Sequence, residues 1–268
     1  MLTGIGEAVL GTTGGTSNVS HQLTMGDNAD LRDGFTTLTH IETGARRYNA
    51  WIGHKLRELC GQRVLEIGAG IGTITAQIEP NRELVIALDV ERFYVDKLKS
   101  RFRDKPHVRA MVSDVAHPDF ETLRKERIDT ILLSNVLEHI PDDNDAIRRF
   151  SRILQPNGRL LLMVPALPAL FGSIDEAVGH HRRYSLEALS SVVEDNGFTI
   201  ERIEWMNLVG IAGWFLNSKV LRRRSLSQLQ LRIFDQFAPW LAQVESMVPK
   251  LPIGLSLFAV ARVNGDSR

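Results

Sequence analysis

Five apolar runs alternate with polar stretches of helical character between residues 63 and 166: "RVLEIGA", "LVIALDV", "VRAMVSDV", "IDTILLSNV" and "GRLLLMVPA". Each run is apolar almost throughout, so both faces of each strand must be buried. That condition predicts an α/β fold with a mostly parallel sheet covered by helices on either side. "ERFYVDKLKSRFRD" and "DDNDAIRRFSRILQ" supply two of the connecting helices. Two later runs, "FTIERIEW" and "GLSLFAVARV", add a sixth and a seventh strand that pair as an antiparallel hairpin. The expected architecture is a seven-stranded mixed sheet with an antiparallel last strand.

Around this frame the chain divides unevenly. Residues 1–40 are rich in Gly, Thr, Ser, Asn and Asp and are read as a flexible arm. Residues 41–268 form the single folded domain. It opens on a helix that buries Tyr48, Trp51, Ile52, Leu56 and Leu59 and is capped by Gly61. Gly158 is read as a helix stop before the fifth strand, and Ser185 as the N-cap of "LEALSSVVE". Between the last two strands, residues 206–253 are too long and too apolar for a hairpin loop, and are expected to form a helical cap over the sheet's carboxyl edge.

Bulk composition narrows the function classes. Lys plus Arg and Asp plus Glu both total 32, a balance that disfavours a nucleic-acid substrate. A single cysteine, Cys60, rules out an intramolecular disulfide and a thiolate cluster, and no metal is expected. The amino-terminal residues lack the basic start and apolar core of a secretory signal, and no run reaches the ~20 apolar residues of a membrane span. The expected location is cytoplasmic.

The chemistry begins at "VLEIGAGIGTIT", residues 64–75. A buried strand runs into Gly68, Gly70 and Gly72, where a tight turn lets a ligand approach the backbone at a helix N-terminus. A turn of this kind serves more than one nucleotide cofactor. Asp89 ends the second strand 17 residues after Gly72 (89 − 72), where its carboxylate can accept both hydroxyls of a ribose or cap the next helix. Asp114 ends the third strand, within reach of an adenine amino group. A dinucleotide fingerprint is a poor fit, because its Gly-x-Gly-x-x-Gly spacing is replaced by Gly68-x-Gly70-x-Gly72 followed by Thr73.

In order, strand–"GAGIG"–helix, Asp89, "SDV", "SNVLEHI" and "GRLLLMVP" resemble a class I S-adenosylmethionine (SAM)-dependent methyltransferase of the ubiquinone/menaquinone-biosynthesis type, over about residues 45–205. The resemblance implies a Rossmann-like sheet and SAM as cofactor, with S-adenosylhomocysteine as product. It implies that Glu66, Gly68, Ala69, Gly70 and Gly72 surround the methionine part. Asp89 with Val90 would hold the ribose, Asp114 and Val115 would flank the adenine, and Asn135 would lie near the methionine end. Tyr48 and Trp51 are lids on the cofactor in this reading, or ordinary core residues of their helix.

After the fourth strand the chain carries "SNVLEHIP", whereas enzymes that methylate exocyclic base amines or glutamine amides carry an Asn/Asp-Pro-Pro-aromatic motif there. That contrast favours a small-molecule acceptor: a hydroxyl, amine or activated carbon on a hydrophobic or aromatic compound. Candidate proton acceptors are His139, which also reads as the start of a helix beneath the cofactor, and His180 in "EAVGHHRRYS". The latter loop matches the family's Gly-His-x-Arg-Arg-Tyr pattern. It brings Arg183, a candidate for a substrate phosphate or carboxylate, and Tyr184, which also reads as a packing residue. Direct displacement at a sulfonium asks mainly for positioning, so a base is needed only for a protonated acceptor.

Trp205, Met206, Trp214, Phe215, Phe234, Phe237 and Trp240 give the insertion an aromatic character, and its first half, residues 206–224 ending in the basic "KVLRRR", is a candidate for peripheral membrane contact or else a lid packed on the core with a solvated basic edge. A non-catalytic SAM-binding protein and a protein or RNA methyltransferase are the alternatives. The choice between monomer and homodimer stays open.

Overall fold

The computed structural model describes residues 36, 38–40, 42–247 and 252–265. The expected arm at 1–40 therefore lies almost wholly outside the described residues. The sheet contains β1 (Arg63–Ile67), β2 (Leu84–Asp89), β3 (Val108–Val112), β4 (Ile128–Ser134), β5 (Leu154–Pro165), β6 (Phe198–Met206) and β7 (Ser256–Val263). Their order is β3-β2-β1-β4-β5-β7-β6. β1 to β5 pair in parallel, and β7 runs antiparallel between β5 and β6. This is the seven-stranded mixed sheet that the run pattern predicts.

The unbroken apolarity of the strands follows from two cores rather than one. Leu65, Ile67, Ile86, Leu88, Ile131, Leu133, Leu160 and Leu162 face one cluster, with Phe120, Phe150 and Leu189 from the covering elements. Their neighbours Val64, Val85, Leu132, Leu161, Met163 and Val260 face the other, against Ile52, Leu56 and Ile78. Successive strand residues point to opposite faces, so covering both faces requires apolar residues at every position. The first face is closed by α4 (Asp143–Ile153) and α6 (Leu186–Glu194), and the second by α1 (Arg46–Leu59) and the one-turn α2 (Thr75–Ile78). α3 (Arg92–Arg101) packs Leu98 beside Phe102, Ala69 and Ala87.

Local endings differ from the sequence reading at two glycines. α1 stops because Cys60 turns extended (φ −68°, ψ 139°), not because Gly61 adopts a left-handed cap. Gly61 is required instead by crowding, since a Cβ there would sit 2.2 Å from Asp129 Oδ1. That carboxylate accepts hydrogen bonds from the Gln62 and Arg63 amides at 2.7 and 2.9 Å, tying the entry of β1 to β4. The helix before β5 ends because Leu154 turns extended, and Gly158 lies inside β5, where the left-handed residue is Asn157 (φ 63°) and the β4–β5 register slips between Ile128 and Thr130. Ser185 caps α6 as expected, accepting from the Ala188 amide at 3.1 Å. Cys60 is buried, and desolvation pushes its thiol up to about 12, so it behaves as an apolar core atom.

Past β5 the chain forms the short α5 (Ser173–Val178). Past β6 it forms α7 (Gly210–Trp214), a π-helical turn over Phe215–Val220, and α8 (Gln228–Met247). α8 lies along α1: the Tyr48 amide donates to Asp235 Oδ1 at 2.9 Å, and the Tyr48 and Phe234 rings meet edge to face at 5.3 Å. The π turn docks on α5, where Ser173 Oγ donates to the Ser218 carbonyl at 2.9 Å. Both contacts hold residues 206–247 on elements at or beyond the carboxyl ends of the strands. No helix among the described residues is long and apolar enough to cross a membrane.

Phe150, fully buried between the sheet and Phe120, tests the first core. Phe150→Ala should lower unfolding free energy by about 3–5 kcal/mol, read from urea denaturation, through lost burial and the cavity left behind.

Candidate functional site

The turn between β1 and α2 is built by three left-handed glycines, Gly68 (φ 69°), Gly70 (φ 54°) and Gly72 (φ 83°). Only glycine takes such angles at no steric cost. Packing adds a second requirement at two of them: a Cβ on Gly68 would lie 2.4 Å from Val136 Cγ2, and one on Gly72 would lie 2.7 Å from Phe102. Gly70 is less crowded, but a Cβ there would still press on the Leu38 side chain, with Cδ1 at 3.2 Å. Arg101 secures the turn by donating to the Ile71 carbonyl at 2.9 Å, and the same nitrogen pairs with Glu42 at 2.7 Å. The segment carrying Leu38 and Glu42 thus crosses over the turn.

Asp89 joins the turn to the end of β2. Its Oδ2 accepts the Gly70 amide at 2.9 Å and its Oδ1 the Glu91 amide at 3.0 Å. It does not cap α3, whose N-cap is Glu91. Each carboxylate oxygen keeps a second lone pair, so the group is oriented but not saturated. Burial raises its pKa, opposed by those amide bonds. Val90 beside it is exposed, Asp114 closes a turn onto the Ala116 amide at 2.8 Å, and Val115 is buried. Together they line the rim where β2 and β3 end.

Glu66 stands on the second face of β1, almost fully buried, and accepts the Thr75 hydroxyl at 2.6 Å. Desolvation pushes its carboxyl up to about 7, the Thr75 hydrogen bond pulls it back and the Asp89 charge adds to the rise. Ala69 is held by its amide on the Leu88 carbonyl. Asn135 adopts a left-handed conformation (φ 54°) immediately after β4 and is exposed, with its amide on the Met163 carbonyl. Tyr48 and Trp51 pack on the second core with their rings 5.7 Å apart.

At the ends of β4 and β5 the chain brings together a second group. Glu138 is fully buried, and neither of its carboxylate oxygens has a hydrogen-bond partner. His180 Nε2 lies 3.7 Å from Glu138 Oε1, and the His139 and His180 rings meet edge to face at 4.7 Å. Behind His180, Nδ1 is 2.8 Å from Asp175 Oδ1, which also accepts from Arg183 Nε at 2.9 Å. Burial pushes the Glu138 carboxyl up to about 8. Partial desolvation and then the neighbouring His180 hold the His139 imidazole down at about 4.

Arg183 and Tyr184 are spent inside this framework. Arg183 is buried, also donates to the Ala166 carbonyl at 2.9 Å and lies 4.4 Å over the Trp214 ring. Tyr184 donates its hydroxyl to Asp143 at 2.7 Å within the core, and burial with that bond raises its pKa far above the ordinary value. Neither side chain is turned to receive a ligand. Glu138 and Asp175 were not singled out from the sequence. Glu138 sits inside "LEHI", where adjacency to His139 was the only signal, and Asp175 is identified solely by its contacts.

A family model described as a methyltransferase domain matches residues 40–203. The ubiquinone/menaquinone biosynthesis C-methyltransferase UbiE of Vibrio campbellii is 30% identical over 119 residues, 41% of this chain and 44% of that enzyme. The chain thus spans less than half the length of that curated relative. The YcgJ protein from Bacillus subtilis has a TM-score of 0.53 at 19% identity, covering 81% of this chain and 97% of that one. A chain in the complex between the Haloferax volcanii Trm112 methyltransferase activator and the putative methyltransferase reaches 0.60 at 15% identity, covering 88% and 97%. At these identities the solved structures speak for the fold.

The raised pKa of Glu66 fixes a pH dependence. A carboxyl protonated in the folded state and ionised in the unfolded chain costs stability as pH rises from about 4.5, and the cost levels off above about 7. In the cofactor-free protein, Glu66→Gln should remove that cost, on the order of 3 kcal/mol at pH 8 and none at pH 4, in denaturation series at the two pH values.

Proposed function

This chain belongs to the methyltransferase-domain family of SAM-dependent enzymes, and on that premise we propose that it methylates a hydroxyl, amine or activated carbon of a hydrophobic or aromatic small molecule. The observation that carries the cofactor assignment is the 2.9 Å bond from the Gly70 amide to Asp89, which sets an oriented carboxylate beside a turn of three left-handed glycines. SAM, when bound, supplies an electrophilic methyl group on a sulfonium. Asp89, with Val90 alongside, is placed to accept the ribose hydroxyls, and Asp114 and Val115 to border the adenine. Glu66 and the backbone of Gly68, Ala69, Gly70 and Gly72 would surround the methionine portion, with Asn135 near its end. Leu38 and the segment tied down by Glu42 lie against the turn and would border the bound cofactor.

The acceptor end is assigned to Glu138, His139 and His180. Val136 packs on Gly68, so this group begins two residues from the glycine turn. His180, held from behind by Asp175, turns Nε2 toward Glu138, where its lone pair is a proton acceptor for a methyl acceptor that arrives protonated as long as no cation occupies it. The insertion forms one wall, because Trp214 stacks on Arg183 and the Ile174 amide donates to Ser218 Oγ at 3.3 Å. Aromatic and aliphatic side chains along it support an apolar acceptor.

A membrane-facing role belongs to the same insertion. Phe215, Leu216, Val220, Leu221, Leu229, Ile233, Phe237 and Trp240 are all exposed, interleaved with the exposed cations Lys219, Arg222, Arg224 and Arg232. An apolar surface bordered by cations matches an anionic bilayer, and the occupant proposed is a lipid surface.

Asp89→Ala should weaken SAM binding by at least about 1–3 kcal/mol in isothermal titration, the scale for stranding polar partners. Unchanged affinity would sink the cofactor assignment. For the insertion, co-sedimentation with phosphatidylserine-containing liposomes at low salt is expected for the wild type and reduced for the Phe237→Ser/Trp240→Ser double variant. Absence of sedimentation rejects the membrane role.

A further inference from the structure

Glu138 poses a problem that methyl transfer does not solve. A carboxyl group with no exposed surface and no hydrogen-bond partner on either oxygen is costly to bury, in either protonation state. Proteins satisfy such groups with a counter-charge, a donor or a metal ion. The cations and donors around it are already engaged elsewhere: Arg183 is bonded to Asp175 and Ala166, and Arg182 to Asp143 and the Pro141 carbonyl. What faces Glu138 is imidazole.

The tautomer of His180 decides what that imidazole can offer. Asp175 Oδ1, itself fixed by Arg183 Nε, stands 2.8 Å from Nδ1, which places the proton on Nδ1 and the lone pair on Nε2. Nε2 then points a lone pair toward Glu138 Oε1 across 3.7 Å, a gap too long for a hydrogen bond. His139 closes the third side. Donor atoms of Glu138, His139 and His180 all lie within 4.8 Å of one another. Ligands bound at ~2.0–2.2 Å from a common ion stand ~3–4 Å apart, so sub-ångström side-chain movements would bring the three atoms onto one centre.

We infer that Glu138, His139 and His180 form a binding site for one divalent first-row cation of the zinc or manganese kind. Two imidazoles and one carboxylate are a donor set suited to such ions. Asp175 is the positioning residue behind His180, the carboxylate–histidine–metal arrangement that sets ligand orientation and basicity. Three protein donors leave open coordination positions at the acceptor end of the cleft, where an acceptor oxygen would become a ligand. Cation binding itself does not depend on the methyl donor.

The test is titration of chelator-stripped full-length protein with ZnCl₂ and, separately, MnCl₂, in the absence of SAM, by isothermal calorimetry with metal content counted after gel filtration. The expected result is one equivalent retained by the wild type. Glu138→Gln, which preserves shape, and His180→Ala should each weaken it by more than tenfold, and Asp175→Asn by about 10–100-fold through the outer shell. Far-ultraviolet circular dichroism identifies any variant that has lost its fold, and Glu138→Gln then decides. No retained equivalent with either ion, or retention that Glu138→Gln leaves unchanged, overturns the inference. Methyl transfer measured in parallel with chelator present tells failure of this site from failure of the enzyme assignment.

Discussion

Covering both faces of a parallel sheet is the constraint from which the rest of the structure follows. It forces the strands to be apolar at every position, as Val64 and Leu65 show by entering opposite cores. Parallel strands joined by helices all end on one edge, and the polar residues excluded from the strands gather there. Glu66, Asp89, Asp114, Asn135 and the "GHHRRYS" loop sit in or beyond the last positions of β1 to β5 for that reason. The sheet does not choose the chemistry, but it chooses the place.

Within that edge the site has two halves of different character. The glycine turn and Asp89 are an exercise in backbone geometry: positive φ at three glycines and an amide held by a carboxylate. The second half is electrostatic. Asp143 and Asp175 each collect charged or hydroxyl donors, Arg182 with Tyr184 and Arg183 with His180, so both carboxylates are compensated. Glu138, between them, is not. A buried carboxyl left without a hydrogen-bond partner inside an otherwise satisfied network marks a position kept for a ligand rather than for stability.

The insertion between β6 and β7 links these halves to the outside. It meets α1 through Asp235 and Phe234, and meets the acceptor end through Trp214 and Ser218, while keeping a row of large apolar side chains in solvent. One element therefore touches the first helix, the residues around Arg183 and Ser173, and the surface.

The sequence by itself determined the sheet, its parallel character, the antiparallel last strand and the glycine turn, because strand burial and positive φ impose residue types that are local and periodic. It also supplied the ordered motifs by which the family is recognised. It misplaced two chain turns: Gly61 is glycine because Asp129 crowds it, and Gly158 lies inside β5 next to the left-handed Asn157 rather than at the helix end. Those facts depend on neighbours distant along the chain. Only the tertiary structure decided which members of "GHHRRYS" face inward to one another, turning Arg183 and Tyr184 into struts and leaving His180 beside Glu138 and His139. The physical reason is that partners such as Asp175 and Asp143 are selected by distance in space, and side-chain charge compensation carries no period that a sequence can display.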